Sequence, residues 1–304
     1  MMDHPDERKQ HAHPIPTVGG VAMFAALLIS MQLCSDITHQ EAILLACAAA
    51  LVLLGILDDR HNLSVSLRMM IQVTLALIVI IGAGGTISQL GSIFGIHLNL
   101  YLLALPFSLI AFVGGINAMN MIDGADGMAG SMALITTVGV LVLYSVSPLG
   151  VSPDLPLALL GVLSAFLFFN ARVLIQRAWV FMGDAGSMWL GLVVAWLLAK
   201  VAQGPSDPWV VLWMFGIPLI DTLTVMFRRM RRKKSPFVAD RTHIHHIFEH
   251  RGMSTGRSVL LAALSQTLLV TIGVTLYLLA APTIIVLGGF LTLFVIYYYV
   301  MRHQ

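Results

Sequence analysis

Residues 98–147 read LNLYLLALPFSLIAFVGGINAMNMIDGADGMAGSMALITTVGVLVLYSVS, two long apolar runs joined by a short polar hinge. A helix needs about 20 apolar residues to cross a hydrocarbon core of ~30 Å, and each run approaches that length. The hinge, Asn117 to Met128, carries two carboxylates and two carboxamides. Polar groups at a membrane boundary are costly, so their presence points to a use. The same alternation repeats along the chain, in candidate spans Thr17–Cys34, Glu41–Leu57, Met70–Gly84, Leu98–Ile116, Gly127–Ser147, Pro156–Phe169, Ala185–Ala202, Trp209–Phe227, Ser258–Ala280 and Pro282–Val300. About ten transmembrane helices are therefore expected, forming an all-α polytopic membrane helix bundle.

Composition agrees: of 304 residues 58% are hydrophobic and 11% charged, with a mean hydropathy of +0.89. The longest polar stretch, Arg228 to Arg257, is too short for a soluble domain, so residues 1–304 read as a single integral membrane domain. Cys34 and Cys47 fall inside apolar runs and read as small packing residues. The opening MMDHPDERKQHAHPIP is polar and has no cleavable signal pattern. With a cytoplasmic N-terminus, the loops after even-numbered spans hold Arg8, Lys9, Arg60, Arg68, Arg172, Arg177, the run Arg228 to Lys234, Arg241, Arg251, Arg257 and Arg302. Only Lys200 of the 17 basic residues lies toward the other face. The positive-inside rule selects that orientation, and it puts five chemistry-bearing loops on the cytoplasmic side. The outer loops are expected to be short.

In the loop after the second span, Asp58 and Asp59 are adjacent at a helix end, with Arg68 following. Neighbouring acids at a helix C-terminus repel one another and oppose the dipole. They read either as solvated loop acids or as a general base or nucleophile beside a metal-phosphate site. In the hinge, Asn117, Asn120, Asp123 and Asp126 recur every three residues, so a helical start would set them on one face. Four such oxygen acceptors suit a hard cation and a polar heterocycle better than capping alone. Asn170 and then FMGDAGS follow the sixth span, and Asp184 stands between Gly183 and Gly186 before an apolar helix. It reads as an N-cap or as a Mg²⁺ ligand beside helix-terminal amides. The last inner loop, SPFVADRTHIHHIF, offers Arg241, His243, His245 and His246. Without nearby cysteine or helical i, i+4 histidines, zinc is disfavoured, and the group suits neutralisation of a diphosphate. The basic run before it reads as a positive-inside anchor. Asp221 stays open between packing and proton balance.

Five motifs in order, DHPDERKQHAHPIPTVGG, LDDRHNLS, NAMNMIDGADGM, FMGDAGS and SPFVADRTHIHH, make the chain resemble the polyprenyl-phosphate N-acetylhexosamine-1-phosphate transferases. The resemblance implies Mg²⁺-dependent transfer, with Mn²⁺ as a substitute, of a sugar 1-phosphate from a UDP-N-acetylhexosamine, foremost UDP-N-acetylglucosamine. The acceptor would be undecaprenyl phosphate, the other product UMP, and the place a bacterial inner membrane with the active site facing the cytoplasm. By motif, Asp184 and Asn120 would hold the metal, and Asp126 with Asn170 would meet the uridine. Arg68, Asn117, Asp123, Arg241, His243, His245 and His246 would bind phosphate and sugar, while Asp58 and Asp59 would orient or deprotonate the lipid phosphate. Asp3 falls where the family has an acid in its first inner loop. Membrane lipid is the expected surrounding, a homodimer is compatible, and nucleic acid has no place. Family members carry one more hydrophobic span ahead of the DHPDERK loop, where this sequence begins. Two other readings differ in their expectations: a phospho-muramoyl-pentapeptide transferase, disfavoured by the RTHIHH form of the last loop, and a transporter, whose ionisable groups belong near the bilayer midplane.

Overall fold

The computed structural model describes residues 2, 3, 15–147, 149, 152–173, 175, 177–233, 235, 243, 244, 247, 248 and 252–301, without the side chains of residues 2 and 3. A two-residue strand pair, β1 (Met2–Asp3) and β2 (Ile15–Pro16), precedes α1 (Gly19–Cys34). Then come α2 (His39–His61), α3 (Val65–Gly82), a hairpin of β3 (Gln89–Ile93) and β4 (Ile96–Asn99), α4 (Ala104–Ile122), α5 (Met128–Val146) and α6 (Asp154–Asn170). The chain continues with α7 (Asp184–Ala202), α8 (Val210–Met214), α9 (Gly216–Arg231), α10 (Thr255–Leu278) and α11 (Thr283–Met301). This is a polytopic all-α bundle. Among the described residues, seven helices are long and apolar enough to cross a membrane, while α1 and α6 are shorter apolar helices.

Three expectations change. The eighth apolar run is not one helix: it breaks at Phe215 into α8 and α9, where Gly216 and Pro218 weaken a continuous ladder. The hinge residues Asn117 and Asn120 do not start a helix but lie in the last turns of α4, which runs on to Ile122. Their carboxamides find partners on neighbouring helices, so the helix extends past the apolar run. Third, the connection between α3 and α4 is no short loop, since it folds into the β3–β4 hairpin.

Helix α7 lies at the centre, with Trp189 and Trp196 wholly buried. Its neighbours approach it backbone to backbone because glycine stands at the crossings. A Cβ on Gly20 of α1 would strike Gly186, one on Gly55 of α2 would strike Ala185 and Asp184, and one on Gly191 would lie 2.7 Å from the Ile116 Cα of α4. Small residues that admit such approach are the usual means of helix association in lipid. Indole N–H groups lock the arrangement: Trp189 donates to the Gly20 carbonyl at 3.2 Å and Trp196 to the Ala83 carbonyl at 2.9 Å. Near the far end of α7, Lys200 is buried, donating to Gln40 Oε1 at 2.9 Å and the Gly84 carbonyl at 3.0 Å. Two neutral acceptors thus hold the buried ammonium.

Candidate active site

The site forms where α2 and α4 end and α7 begins. Its floor is set by backbone: Gly19 and Gly20 N–H donate to the carbonyls of Phe181 and Met182, both at 3.0 Å, so the first amides of α1 are satisfied by the segment leading into α7. Gly183 then turns with φ +70°, a left-handed conformation suited to glycine, and a Cβ there would also come 2.8 Å from Asp59 Oδ2. That turn places Asp184 as the first residue of α7. Asp184 does not cap its own helix; Gly183 is the N-cap, without a side-chain bond.

Carboxylates converge on this point. Asp59, exposed in the last turn of α2, accepts the Asp184 backbone N–H at 3.2 Å, which puts a negative charge at the positive end of α7. Asp184 Oδ1 accepts from Asn120 Nδ2 at 2.7 Å, and the same amide reaches Ser187 Oγ at 2.9 Å. Asp58, buried beside them, lies within hydrogen-bonding reach of Asp184. Its Oδ2 accepts from Arg68 Nη1 at 2.6 Å and its Oδ1 from the Leu63 N–H at 2.8 Å. The same Arg68 nitrogen stands 3.8 Å from Asp184. Asp123 caps the C-terminus of α4, and burial, followed by the charges of Asp184, Asp126 and Asp59, pushes its carboxyl well above the usual carboxylate range.

A second group adjoins the first across the hinge. Asn170, buried as the last residue of α6, accepts the Gly127 N–H at 2.6 Å and donates to the Val180 carbonyl at 2.7 Å. It clips the hinge to the segment before α7. Arg172 Nε meets Asp126 Oδ2 at 2.5 Å. Sequence reasoning counted Arg172 only as a positive-inside charge. Its position two residues after Asn170 was the available signal.

The other candidates separate from this cluster. Asn117 turns toward α3, donating to Gln72 Oε1 and the Val113 carbonyl, both at 2.8 Å. His243 pairs through Nδ1 with Asp221 Oδ2 at 2.7 Å, and Asp221 Oδ1 also accepts the Ile244 N–H and the Tyr297 hydroxyl, both at 3.0 Å. Asp221, left open by the sequence, thus holds the His243 segment against α9. Arg241, His245, His246 and the Asp3 side chain lie outside what is described.

Chemically, Asp58, Asp59, Asp123, Asp126 and Asp184 crowd into one region, where Arg68 pairs with Asp58 and Arg172 with Asp126. Like charges so close call for a compensating cation. The donors are oxygens, the preference of a hard divalent ion, while among the described residues no group of three or more acidic, histidine or cysteine side chains is placed to hold a metal ion. An ion such as Mg²⁺, which commonly takes one or two carboxylates and completes its shell with water and substrate phosphate, would need no more protein donors than Asp184 and a neighbour.

A buried central helix that carries an acid at its first residue, ringed by helix-end carboxylates and arginines, defines a polytopic membrane enzyme with an anionic site. The chain belongs to glycosyl transferase family 4, whose family model matches residues 42–202. It is similar to the undecaprenyl-phosphate alpha-N-acetylglucosaminyl 1-phosphate transferase of Escherichia coli O157:H7, at 33% identity across 99% of this chain and 84% of the relative. The Yersinia pestis protein of the same name is 34% identical over 99% and 84%, and that of Haemophilus influenzae 32% identical over 100% and 87%.

Proposed function

We propose that this protein transfers N-acetylhexosamine 1-phosphate, foremost N-acetylglucosamine 1-phosphate, from a UDP-sugar to undecaprenyl phosphate, at the cytoplasmic face of a bacterial inner membrane. This is the first membrane step of a cell-envelope polysaccharide such as O-antigen. The observation that carries the proposal is the gathering of Asp59, Asn120, Asp123 and Asp184 around the start of α7, with Arg68 alongside. The relatives' names support the choice of acceptor and sugar. The acids sit at helix ends, which favours an enzyme facing a water-soluble donor over a transporter.

In the reaction, an oxygen of the lipid phosphate attacks the sugar-linked phosphorus of the UDP-sugar. A new P–O bond forms, the bond to the bridging oxygen breaks, and UMP leaves with that oxygen. Such transfer depends on positioning and charge neutralisation more than on any exotic group. Asp184 and the Asn120 carboxamide oxygen would hold Mg²⁺, which would supply positive charge to offset the charge that develops on the diphosphate. Asp58 has both oxygens engaged, so it fixes Arg68 toward phosphate. Asp59, on the exposed side of the pair, orients the lipid phosphate and takes its proton when it carries one. Asp126 and Arg172 form the wall that meets the uridine, and Asn170 holds that wall in place.

Purified protein assayed with a panel of UDP-sugars and undecaprenyl phosphate tests the function: a lipid diphosphate sugar should form with Mg²⁺ and with UDP-N-acetylglucosamine best. No product with any UDP-sugar would overturn the reading, while preference for the muramoyl-pentapeptide donor would move it to peptidoglycan synthesis. The Asp126–Arg172 pair yields a sharper expectation. A hydrogen bond to a charged group is worth about 1.5–3 kcal/mol, so Asp126→Ala should raise KM for the UDP-sugar about tenfold or more. KM for the lipid should stay level, and equal rises for both substrates would remove the uridine assignment.

Orientation is checked with single cysteines in a background lacking Cys34 and Cys47. His61, exposed at the end of α2, and Pro205, exposed beyond α7, mark opposite ends of the bundle. A membrane-impermeant thiol reagent should label Pro205→Cys in intact cells and reach His61→Cys only after lysis. Labelling of His61→Cys in sealed cells would put the site on the wrong side for a cytoplasmic nucleotide sugar.

A further inference from the structure

The β3–β4 hairpin is held firmly at its base and bare at its tip. Its base docks through Trp209 Nε1 to the Leu90 carbonyl at 2.8 Å and through Ser92 N–H to Thr283 Oγ1 at 3.0 Å, while the Leu100 N–H closes it on the Ser88 carbonyl at 2.9 Å. Gly91, at φ +82°, lets the strand pass against Asp207 and Thr283, which are themselves hydrogen-bonded. The segment that projects is therefore positioned by the body of the protein.

At the tip stand Phe94 and Gly95, both with positive φ, the signature of a tight two-residue turn. Asparagine or aspartate is the usual first residue of such a turn, whereas a phenylalanine at φ +50° is strained and here 89% exposed. A second aromatic repeats the pattern, since Tyr101, between the hairpin and α4, has φ +45° and is 81% exposed. Register divides the hairpin into faces: Ile93 opposes Ile96, and Ser92 opposes His97, so one face is apolar and the other polar. Leu102 and Leu103, next along the chain, are exposed as well. Tyr101 is also the first residue of a stretch, ending at Ile122, that is long and apolar enough to cross a membrane, so an interfacial position for the ring follows from its place in the chain. Aromatic rings concentrate at that level because one end is apolar and the other tolerates water.

We infer that the hairpin is an interfacial anchor, with Phe94, Ile96 and Tyr101 seated in the headgroup–acyl boundary of the leaflet opposite the carboxylate site and His97 turned to water. The occupant is lipid, since the apolar face is continuous with a membrane-spanning helix and the polar face fits a segment lying in the plane of the interface. The strained turn is retained because it aims an apolar ring where Asn would aim a polar one. The anchor fixes the height of α4, whose other end, roughly 27 Å away at about 1.5 Å per residue, carries Asn120.

The test uses full-length protein without Cys34 and Cys47, in nanodiscs of phosphatidylethanolamine and phosphatidylglycerol. Nitroxides are attached singly to Phe94→Cys, Ile96→Cys and His97→Cys. Collisions with oxygen should dominate at positions 94 and 96, and collisions with a water-soluble nickel complex at 97. Equal nickel accessibility at all three sites would overturn the anchor, and spin–spin broadening between two copies would reassign the face to a dimer contact. Phe94→Asn, which suits the turn, combined with the label on Ile96→Cys, separates the ring from the fold. The label should then shift toward water, and an unmoved label would remove Phe94 from the anchor.

Discussion

Asp184→Asn should yield a folded, membrane-inserted protein with less than about a tenth of wild-type turnover. The substitution is nearly isosteric, and the bond that ties this position to Asp59 runs through the backbone N–H, which the change leaves intact. The carboxamide oxygen of the substituted side chain can still accept from Asn120. What disappears is the negative charge at the first residue of α7, between Asn120 and Arg68. Losing one charged Mg²⁺ ligand costs on the order of several kcal/mol of transition-state stabilisation, against the roughly 1.4 kcal/mol that a tenfold loss represents. Turnover at saturating UDP-sugar, with elution and melting compared to wild type, decides it. A variant that keeps more than about a tenth of its rate would show that Asp184 holds no metal.

Gly55→Val should destroy the fold rather than the chemistry. The added Cβ would sit on the backbone of Ala185 and Asp184, and backbone has no rotamer to change. Overpacking usually costs about 1–3 kcal/mol where side chains can give way, and here the cost falls at the upper end or beyond. Gly161→Val on α6 is the control, since a Cβ there meets nothing within 4 Å. In detergent, Gly55→Val is expected to aggregate or melt far below both wild type and the control. Equal melting of the two variants would mean that α2 and α7 do not cross at Gly55.

Much of the bundle was legible because lipid demands long apolar runs: each of the ten runs contains helix, seven of the helices are long and apolar enough to span, and the eighth run breaks in two. Their ends were less legible. Leu98–Ile116 reads as a span that stops before Asn117, yet α4 continues to Ile122, because Asn117 and Asn120 hydrogen-bond their amides to α3 and α7. Such partners lie more than forty residues away in sequence and leave no local trace. The hairpin escaped notice for the opposite reason: its turn is Phe94–Gly95, and the signals that mark a tight turn are Asn-Gly and Asp-Gly. In the site, Asp58, Asp59, Asn120, Asp123 and Asp184 were readable as polar residues between apolar runs; hydrogen bonds join Asp59 and Asn120 to Asp184, while Asp123 feels its neighbours through their charge. Arg172 was not, because a lone arginine in a basic loop looks the same whether it faces solvent or Asp126. The clipping role of Asn170 likewise depends on two loops meeting in space.

That clip bears on the thermodynamics of donor binding. With Asn170 bonded to both Gly127 and Val180, the hinge and the segment before α7 are tied together before any ligand arrives. Fixing a residue's backbone costs about 1–2 kcal/mol in entropy, and here folding has already met that cost. Calorimetry on the wild type should therefore register little ordering of the protein when the UDP-sugar docks. Asn170→Ala would transfer the ordering to the binding event, weakening affinity through a more unfavourable entropy while the enthalpy of the nucleotide contacts stays close to its original value.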